Sequence, residues 1–181
     1  MPGSIEALWP HAMDAFQDVD YIMHAGDLHT LEIVDRLSEL APTYVARGNG
    51  DADIIDERLA DTWLLELKGI QIGMIHHFPS PARKSADHLD KHITKNFSDK
   101  RPDILIYGHT HMEDVRAVNG CLFINPGSPT LPQNQSLRPG TIGYLEILED
   151  HIVATILQLT ATGIVAHESI QPVRHGHVRG R

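Results

Sequence analysis

Five side chains in this sequence, each following an apolar run, are of the types that bind transition metals. They are Asp27, Asn49, His76, His109 and His111. One carboxylate, one amide oxygen and three imidazoles form a mixed oxygen and nitrogen donor set that suits manganese, zinc or iron. Because a carboxylate has two oxygens, Asp27 can bridge two ions. Simpler interpretations remain open for single residues, since Asp27 could cap a helix, Asn49 could be a turn residue and His76 could be a core histidine.

The most informative stretch is Ile104–His111, which reads ILIYGHTH. Its apolar part lies between Pro102 and Gly108 and predicts a strand that is buried on both faces. His109 and His111 follow with one residue between them, and side chains at i and i+2 of extended backbone share a face. Open α/β sheets bind ligands at the carboxyl ends of their strands. The pair therefore predicts a metal site, although an isolated H-x-H would fit two exposed loop histidines as well.

The first half of the chain alternates predicted helices and strands. Ser4 is placed to cap a helix with one apolar face. Asp20–Ala25 reads as a buried strand, Thr30–Leu40 has helical spacing of its apolar residues, and Thr43–Ala46 reads as a short strand. Each strand runs into a glycine followed by a polar residue, as expected for strand ends that carry a site.

The second half is mainly predicted strand. Two strands, Trp63–Leu67 and Ile70–Ile75, are joined by a tight turn at Lys68 and Gly69. Ser80 and Pro81 are suited to begin the helix whose apolar stripe ends at Phe97. After it we predict five consecutive strands and no further helix. They are Val115–Val118, Cys121–Asn125, Ile142–Leu148, Ile152–Thr160 and Ile164–Ile170.

Composition and charge describe a single globular domain. The 181 residues carry a formal net charge of −9, which makes nonspecific nucleic-acid binding a poor explanation. One cysteine, Cys121, excludes an internal disulfide. No apolar run reaches the roughly 18 residues of a membrane helix, and the start lacks signal-peptide features, so we expect a cytoplasmic protein without a membrane partner. We assign the domain to residues 1–172 and a mobile basic tail to residues 173–181.

The motifs Gly26-Asp27, Gly48-Asn49, His76 and Gly108–His111 resemble those of the calcineurin-like metallophosphoesterases. The segment Ile124–Ser128 is similar to that of the small phosphodiesterase group that includes the retromer subunit Vps29. The resemblance implies an α/β fold, a four-layer αββα sandwich of two mixed β-sheets flanked by helices. It also implies a two-metal site at the strand ends, where a metal-bridging water attacks a small phosphoester substrate, with a phosphodiester as the expected class.

The resemblance also implies a role for each site residue. Asp27 would bridge the two ions, Asn49, His76 and His109 would complete one site, and His111 would belong to the other. Asn49 and His109 are the residues we assign to catalysis. The cofactors would be divalent transition metals, manganese first, with zinc, iron or nickel as alternatives.

The sequence departs from the family pattern in its opening motif. The family begins with a strand ending in Asp-x-His, and no such strand precedes the predicted helix at Ile5. Either the protein starts further upstream or half of one metal site is lost. Two functions stay open: a metal-dependent phosphodiesterase, or an inactive or weakly active Vps29-like binding or scaffold module. Because a missing strand leaves an open sheet edge, we also expect self-association into a homo-oligomer, or an edge covered by another segment.

Overall fold

The computed structural model describes residues 12–98, 100–135 and 138–176, and these contain two α-helices and twelve strands. The helices are α1 (Leu31–Ser38) and α2 (Ala86–Phe97). The strands are β1 (Ile22–His24), β2 (Thr43–Ala46), β3 (Leu59–Ala60), β4 (Thr62–Leu67), β5 (Ile70–Ile75), β6 (Ile104–Tyr107), β7 (Asp114–Val118), β8 (Cys121–Asn125), β9 (Gly140–Ile147), β10 (His151–Thr160), β11 (Gly163–Ala166) and β12 (Val173–Gly176). The helix predicted from Ser4 falls mainly outside the described residues. The described end of its predicted span forms a short 3-10 helix at Asp14–Phe16.

A small parallel sheet carries the first two candidate ligands. Its order is β1-β2-β3, and β1 pairs with β2 so that Ile22 lies opposite Thr43. Helix α1 covers the outer face with Ile33, Val34 and Leu37, the apolar stripe that the sequence predicts. The loops after β1 and β2 therefore leave the same edge of this sheet.

A five-stranded sheet of order β4-β5-β6-β8-β7 carries the histidines. Strands β5, β6 and β8 are parallel, and the outer strands β4 and β7 pair antiparallel to their neighbours. All four residues of Ile104–Tyr107 are buried, as predicted for a central strand. Helix α2 packs on the outer face through Leu89, Ile93 and Phe97.

The third sheet is antiparallel and contains β9, β10, β11 and β12, with β10 at its centre. The strand Val173–Gly176 pairs with the first residues of β10 and differs from the mobile tail expected from residue 173. Pairing is possible here because Val173 packs against the core, a contact that the tail composition does not reveal. Residues 177–181 lie outside the described part.

The main core lies between the five-stranded sheet and the other two sheets. In this core, Ile72 and Ile106 of the five-stranded sheet pack with Ala46 of the parallel sheet and Ile152 of the antiparallel sheet. With α1 and α2 on the outside, the predicted αββα arrangement is confirmed. There are three sheets rather than two, because β1 and β9 each end a sheet and are not paired with one another.

The start of α2 differs from the prediction. Ser80 and Pro81 belong to a separate turn in which Arg83 N–H donates to the Ser80 carbonyl at 3.0 Å. The helix instead begins at Ala86, and the Ser85 hydroxyl accepts a hydrogen bond from the His88 N–H at 3.4 Å. No helix in the described ranges is long and apolar enough to cross a membrane.

Replacing Ser85, which caps α2, should therefore lower the stability of the protein more than replacing Ser80, the predicted cap. We expect Ser85→Ala to lower the free energy of unfolding by about 1 kcal/mol, because it removes the side-chain acceptor of an N-terminal N–H group. Ser80→Ala serves as the matched control and should change it by less than half as much. Urea unfolding of both variants measures this, and equal losses would show that Ser85 is not the cap.

Candidate metal centre

The candidate ligands sit in strained loops at the strand ends. Asp27, His109 and His111 have φ angles of 61°, 69° and 57°, in the left-handed region that residues with a Cβ seldom adopt. Such a conformation costs of the order of 1–3 kcal/mol per residue and is retained where the surrounding contacts enforce it. The turn after each strand thereby aims the side chain back across the sheet edge.

His76 is held in one orientation by a backbone carbonyl. Its Nδ1 lies 2.6 Å from the Ala25 carbonyl oxygen, which can only accept, so Nδ1 carries the hydrogen. That assignment, made from the hydrogen-bond geometry, leaves Nε2 pointing towards Asn49 and His109. A histidine that donates one ring N–H to a carbonyl and presents the other nitrogen is the usual arrangement of a metal ligand.

Four predicted ligand atoms meet in one cluster. The Asn49 Oδ1, His76 Nε2 and His109 Nδ1 atoms form a triangle with sides of 3.2 Å. The Asp27 Oδ2 atom lies 3.3 Å from His76 Nε2. Ligands bound about 2.1 Å from one ion at tetrahedral or octahedral angles lie about 3.0–3.4 Å apart. The spacing of these donors therefore fits a divalent transition metal.

The side chains of the cluster differ in solvent exposure, and the cluster is open to solvent on one side. His76 is 6 % exposed and Asp27 is half-buried, whereas Asn49 and His109 face solvent. His77, which the sequence analysis did not select, places its ring edge-on to His109 with 4.8 Å between the ring centroids. A small anionic molecule can thus approach the cluster from the side of Asn49 and His109.

Two glycines allow the loops to come this close. A Cβ on Gly26 would lie 2.7 Å from His76 Nδ1, and one on Gly48 would collide with the backbone nitrogen and carboxylate of Asp27. Gly26 also has a φ of 98°, which favours glycine. Both positions therefore exclude larger side chains for steric reasons.

Asp51 joins the two loops that carry Asp27 and Asn49. It is fully buried, and its carboxylate accepts hydrogen bonds from four backbone N–H groups at 2.6–3.0 Å. The donors are Asp27, Leu28, His29 and Gly48. Burial by itself would raise the pKa of Asp51, but the backbone hydrogen bonds outweigh it and hold the pKa below its usual value. Asp51 was not predicted as a site residue, because nothing in the run 49–53 distinguishes it from its neighbour Asp53.

Two further residues near the cluster were also missed. Burial lowers the pKa of His24 to about 4, so the ring is neutral at pH 7, and its Nδ1 accepts the Gly26 N–H at 3.0 Å. Asn125 is fully buried, and its amide donates to Thr110 Oγ1 at 3.0 Å within the loop that holds His109. Both position a ligand loop, and only the full strand pairing shows that they reach it.

His111 stays outside the four-atom cluster. The group of metal-binding side chains whose donor atoms lie within 4.8 Å of one another contains only Asp27, His76 and His109 among the described residues. Burial lowers the pKa of His111, and its Nδ1 atom is buried without a hydrogen-bond partner in the described structure. It lines the same cavity as Asp27. The structure thus brings together four of the five predicted residues, Asp27, Asn49, His76 and His109. The fifth, His111, keeps a buried Nδ1 atom without a hydrogen-bond partner in the described structure.

The chain is similar to known proteins in sequence and in fold. The model of the calcineurin-like phosphoesterase superfamily domain matches residues 6–150. The chain belongs to this superfamily. A probable metallophosphoesterase of Methanothermobacter thermautotrophicus is 34 % identical over 122 residues, which are 66 % of this chain and 66 % of the relative. The phosphodiesterase YfcE of Escherichia coli K12 is 28 % identical over 150 residues, 78 % of this chain and 71 % of that protein.

Solved structures show the same fold. The Vps29 of Chaetomium thermophilum gives a TM-score of 0.76 at 16 % identity, with all of this chain and 92 % of that one covered. Zinc-bound Vps29 of Entamoeba histolytica gives 0.67 at 23 % identity, covering 91 % and 87 %. The aligned region spans 66 % of this Methanothermobacter relative and 58 % of a probable metallophosphoesterase of Methanocaldococcus jannaschii, less than two thirds of the length of either.

Removing the charge of Asp51 should destabilise both ligand loops. In Asp51→Asn one oxygen becomes an NH₂ group that must face N–H donors in a buried site. We expect the free energy of unfolding to fall by about 3 kcal/mol. Asp53→Asn, at an exposed neighbouring carboxylate, is the control and should be nearly neutral. Denaturant unfolding in the presence of EDTA measures both, and similar small losses would contradict the role of Asp51.

The strain at His109 can be measured separately from its metal contact. Without metal, His109→Gly should be more stable than His109→Ala by about 1 kcal/mol, since only glycine adopts the left-handed backbone freely. At His77, which lacks a positive φ, the order should reverse, with alanine the more stable. The four variants are compared by denaturant unfolding with EDTA. A His109→Ala protein as stable as His109→Gly would exclude strain at this position.

Proposed function

We propose that this protein is a metal-dependent phosphodiesterase that uses manganese. The observation that carries the proposal is the cluster of Asp27, Asn49, His76 and His109, in which donor atoms 3.2–3.3 Å apart have the spacing of ligands around one ion. A proton shared in a hydrogen bond can bridge only one pair of these atoms. A metal cation can be coordinated by all four of them. Mixed oxygen and imidazole donors suit manganese, zinc, iron and nickel alike, and of these we propose manganese first.

The side chains have distinct tasks in this proposal. The hydrogen bond that His76 Nδ1–H donates to the Ala25 carbonyl directs Nε2 at the cluster, and the Gly50 N–H donates to Asp27 Oδ1 at 2.9 Å, which leaves Oδ2 directed at the cluster. Asn49 contributes a neutral oxygen, so it adds no repulsion towards a phosphate. When bound, divalent ions would neutralise the phosphoryl oxygens and lower the pKa of a water molecule. Exposed Asn49 and His109 then border the open side and contact the substrate.

A second candidate function is that of a binding or scaffold module. Vps29 proteins share this fold, and His111 lies outside the one group of metal-binding side chains in the described residues. We assign only Asp27 and the separate His111 to a second ion. Because two protein ligands hold a divalent ion weakly, a phosphodiesterase built this way should need excess metal.

Activity measurements separate the two candidates. With bis-p-nitrophenyl phosphate and excess Mn²⁺, we expect slow hydrolysis that EDTA removes. His76→Ala and Asn49→Ala should lower the rate by at least about a hundredfold, since even partners of metal ligands cost up to that much when removed. His151→Ala, on the antiparallel sheet, is the matched control and should hydrolyse at the wild-type rate. Metal-independent hydrolysis, or full activity of His76→Ala, would contradict the proposal. Tight Mn²⁺ binding without turnover would favour the binding module.

A further inference from the structure

His29 is an exposed histidine whose backbone is held in a strained conformation beside the candidate metal centre. Its φ angle is 64°, in the left-handed region that residues with a Cβ seldom adopt. The N–H of His29 donates to Asp51 Oδ1 at 3.0 Å, so the buried carboxylate fixes the position of this backbone. The side chain therefore starts from a defined point, two residues after the candidate ligand Asp27.

The imidazole ring of His29 lies flat on Gly50. A Cβ added to Gly50 would be 2.5 Å from Cε1 of the ring and 2.9 Å from both Nδ1 and Nε2. An atom that met the ring at its edge would lie much farther from the two nitrogens than from Cε1, whereas an atom above the ring is at nearly equal distances from all three. One face of the ring therefore covers Gly50, and a side chain at this position would displace the ring.

The opposite face of the His29 ring is open to solvent, because His29 is exposed although Gly50 covers its inner face. Gly50 directly follows Asn49, whose Oδ1 atom belongs to the metal cluster and whose side chain borders the open side of that cluster. The structure thus presents a flat, solvent-facing ring next to a candidate metal ligand, on the side from which a substrate approaches.

Two simpler roles fit this ring less well. A metal ligand would belong to the group of donor atoms within 4.8 Å of one another, and among the described residues that group contains only Asp27, His76 and His109. A side chain that only filled the space over Gly50 would not need the strained backbone of His29, because a larger residue at position 50 would fill the same space. Strain that is retained without a packing reason points to a function.

A flat, exposed ring beside a phosphate-binding centre is suited to stack on a nucleobase. Histidine is among the side chains on which bases stack, and the contact needs only the face of each ring. In a nucleotide one ribose separates the base from the phosphate. Because Gly50 and Asn49 are consecutive, with Cα atoms about 3.8 Å apart, a nucleotide whose phosphate lies at the metal cluster has its base within reach of His29.

We propose that His29 is the base-stacking residue of the substrate site, and that this site takes phosphoesters that carry a nucleoside. The inference rests on the proposed function, because the metal centre must hold the phosphate. The ring selects for a base over an alkyl group but distinguishes poorly between bases, since every nucleobase has a flat face. Gly50 is part of the device, because only a residue without a Cβ leaves room for the ring.

The test compares two ligands that share a ribose and a phosphate and differ in the base, adenosine 5′-monophosphate and ribose 5-phosphate. Calorimetry of the full chain with Mn²⁺ measures their binding without turnover. We expect the adenosine ligand to bind about tenfold more tightly. His29→Ala should remove this preference, whereas His29→Phe, which keeps a flat ring but has no nitrogen, should retain it. Gly50→Ala should also remove it, because the new Cβ displaces the ring.

The outcomes separate this inference from the proposed function. Equal affinity of the wild-type protein for the two ligands would overturn the stacking role alone, whereas binding of neither ligand would overturn the phosphate site as well. A preference lost equally in His29→Phe and His29→Ala would show that a ring nitrogen acts and not the ring face. A preference that survives in His29→Ala but disappears in His77→Ala would place the base beside His109. Either result would overturn the proposal.

Discussion

The buried carboxylate of Asp51 is the interaction on which the rest of the site depends. A charge without solvent is tolerated only when hydrogen bonds replace its water, and here four backbone N–H groups do so. Those groups belong to the loops after β1 and β2. The carboxylate therefore fixes the distance between Asp27 and Asn49, and breaking this arrangement would leave a buried charge unpaired.

The remaining contacts build outward from that fixed pair. Ala25, between β1 and the Asp27 loop, orients His76, and Asn125 holds the loop that carries His109. Three candidate ligands keep left-handed backbone conformations, which persist only where the surrounding contacts enforce them. These contacts hold the oxygen and nitrogen atoms of the cluster close together although their lone pairs repel one another. A divalent cation bound between them would offset this repulsion.

Local patterns were sufficient for much of this account. The strands Thr43–Ala46, Ile70–Ile75 and Ile104–Tyr107 are where their apolar runs predict them, and four of the five predicted ligands meet. The start of α2 was wrong because Ser80 and Ser85 are both acceptable caps locally. Asp51 and Asn125 were missed because their importance comes from partners that other loops supply. An open sheet edge was expected from the opening motif, but which strands end a sheet, here β1 and β9 among the described residues, depends on long-range pairing that no local window contains.

X-ray absorption spectroscopy of the protein loaded with one equivalent of Mn²⁺ tests the central claim most directly. The account predicts a shell of nitrogen and oxygen atoms with the outer-shell scattering of two imidazoles, from His76 and His109. In His76→Ala one imidazole should disappear from the spectrum. A spectrum of oxygen ligands only, unchanged by that substitution, would show that the ion binds elsewhere and would contradict the assignment of this cluster as the metal centre.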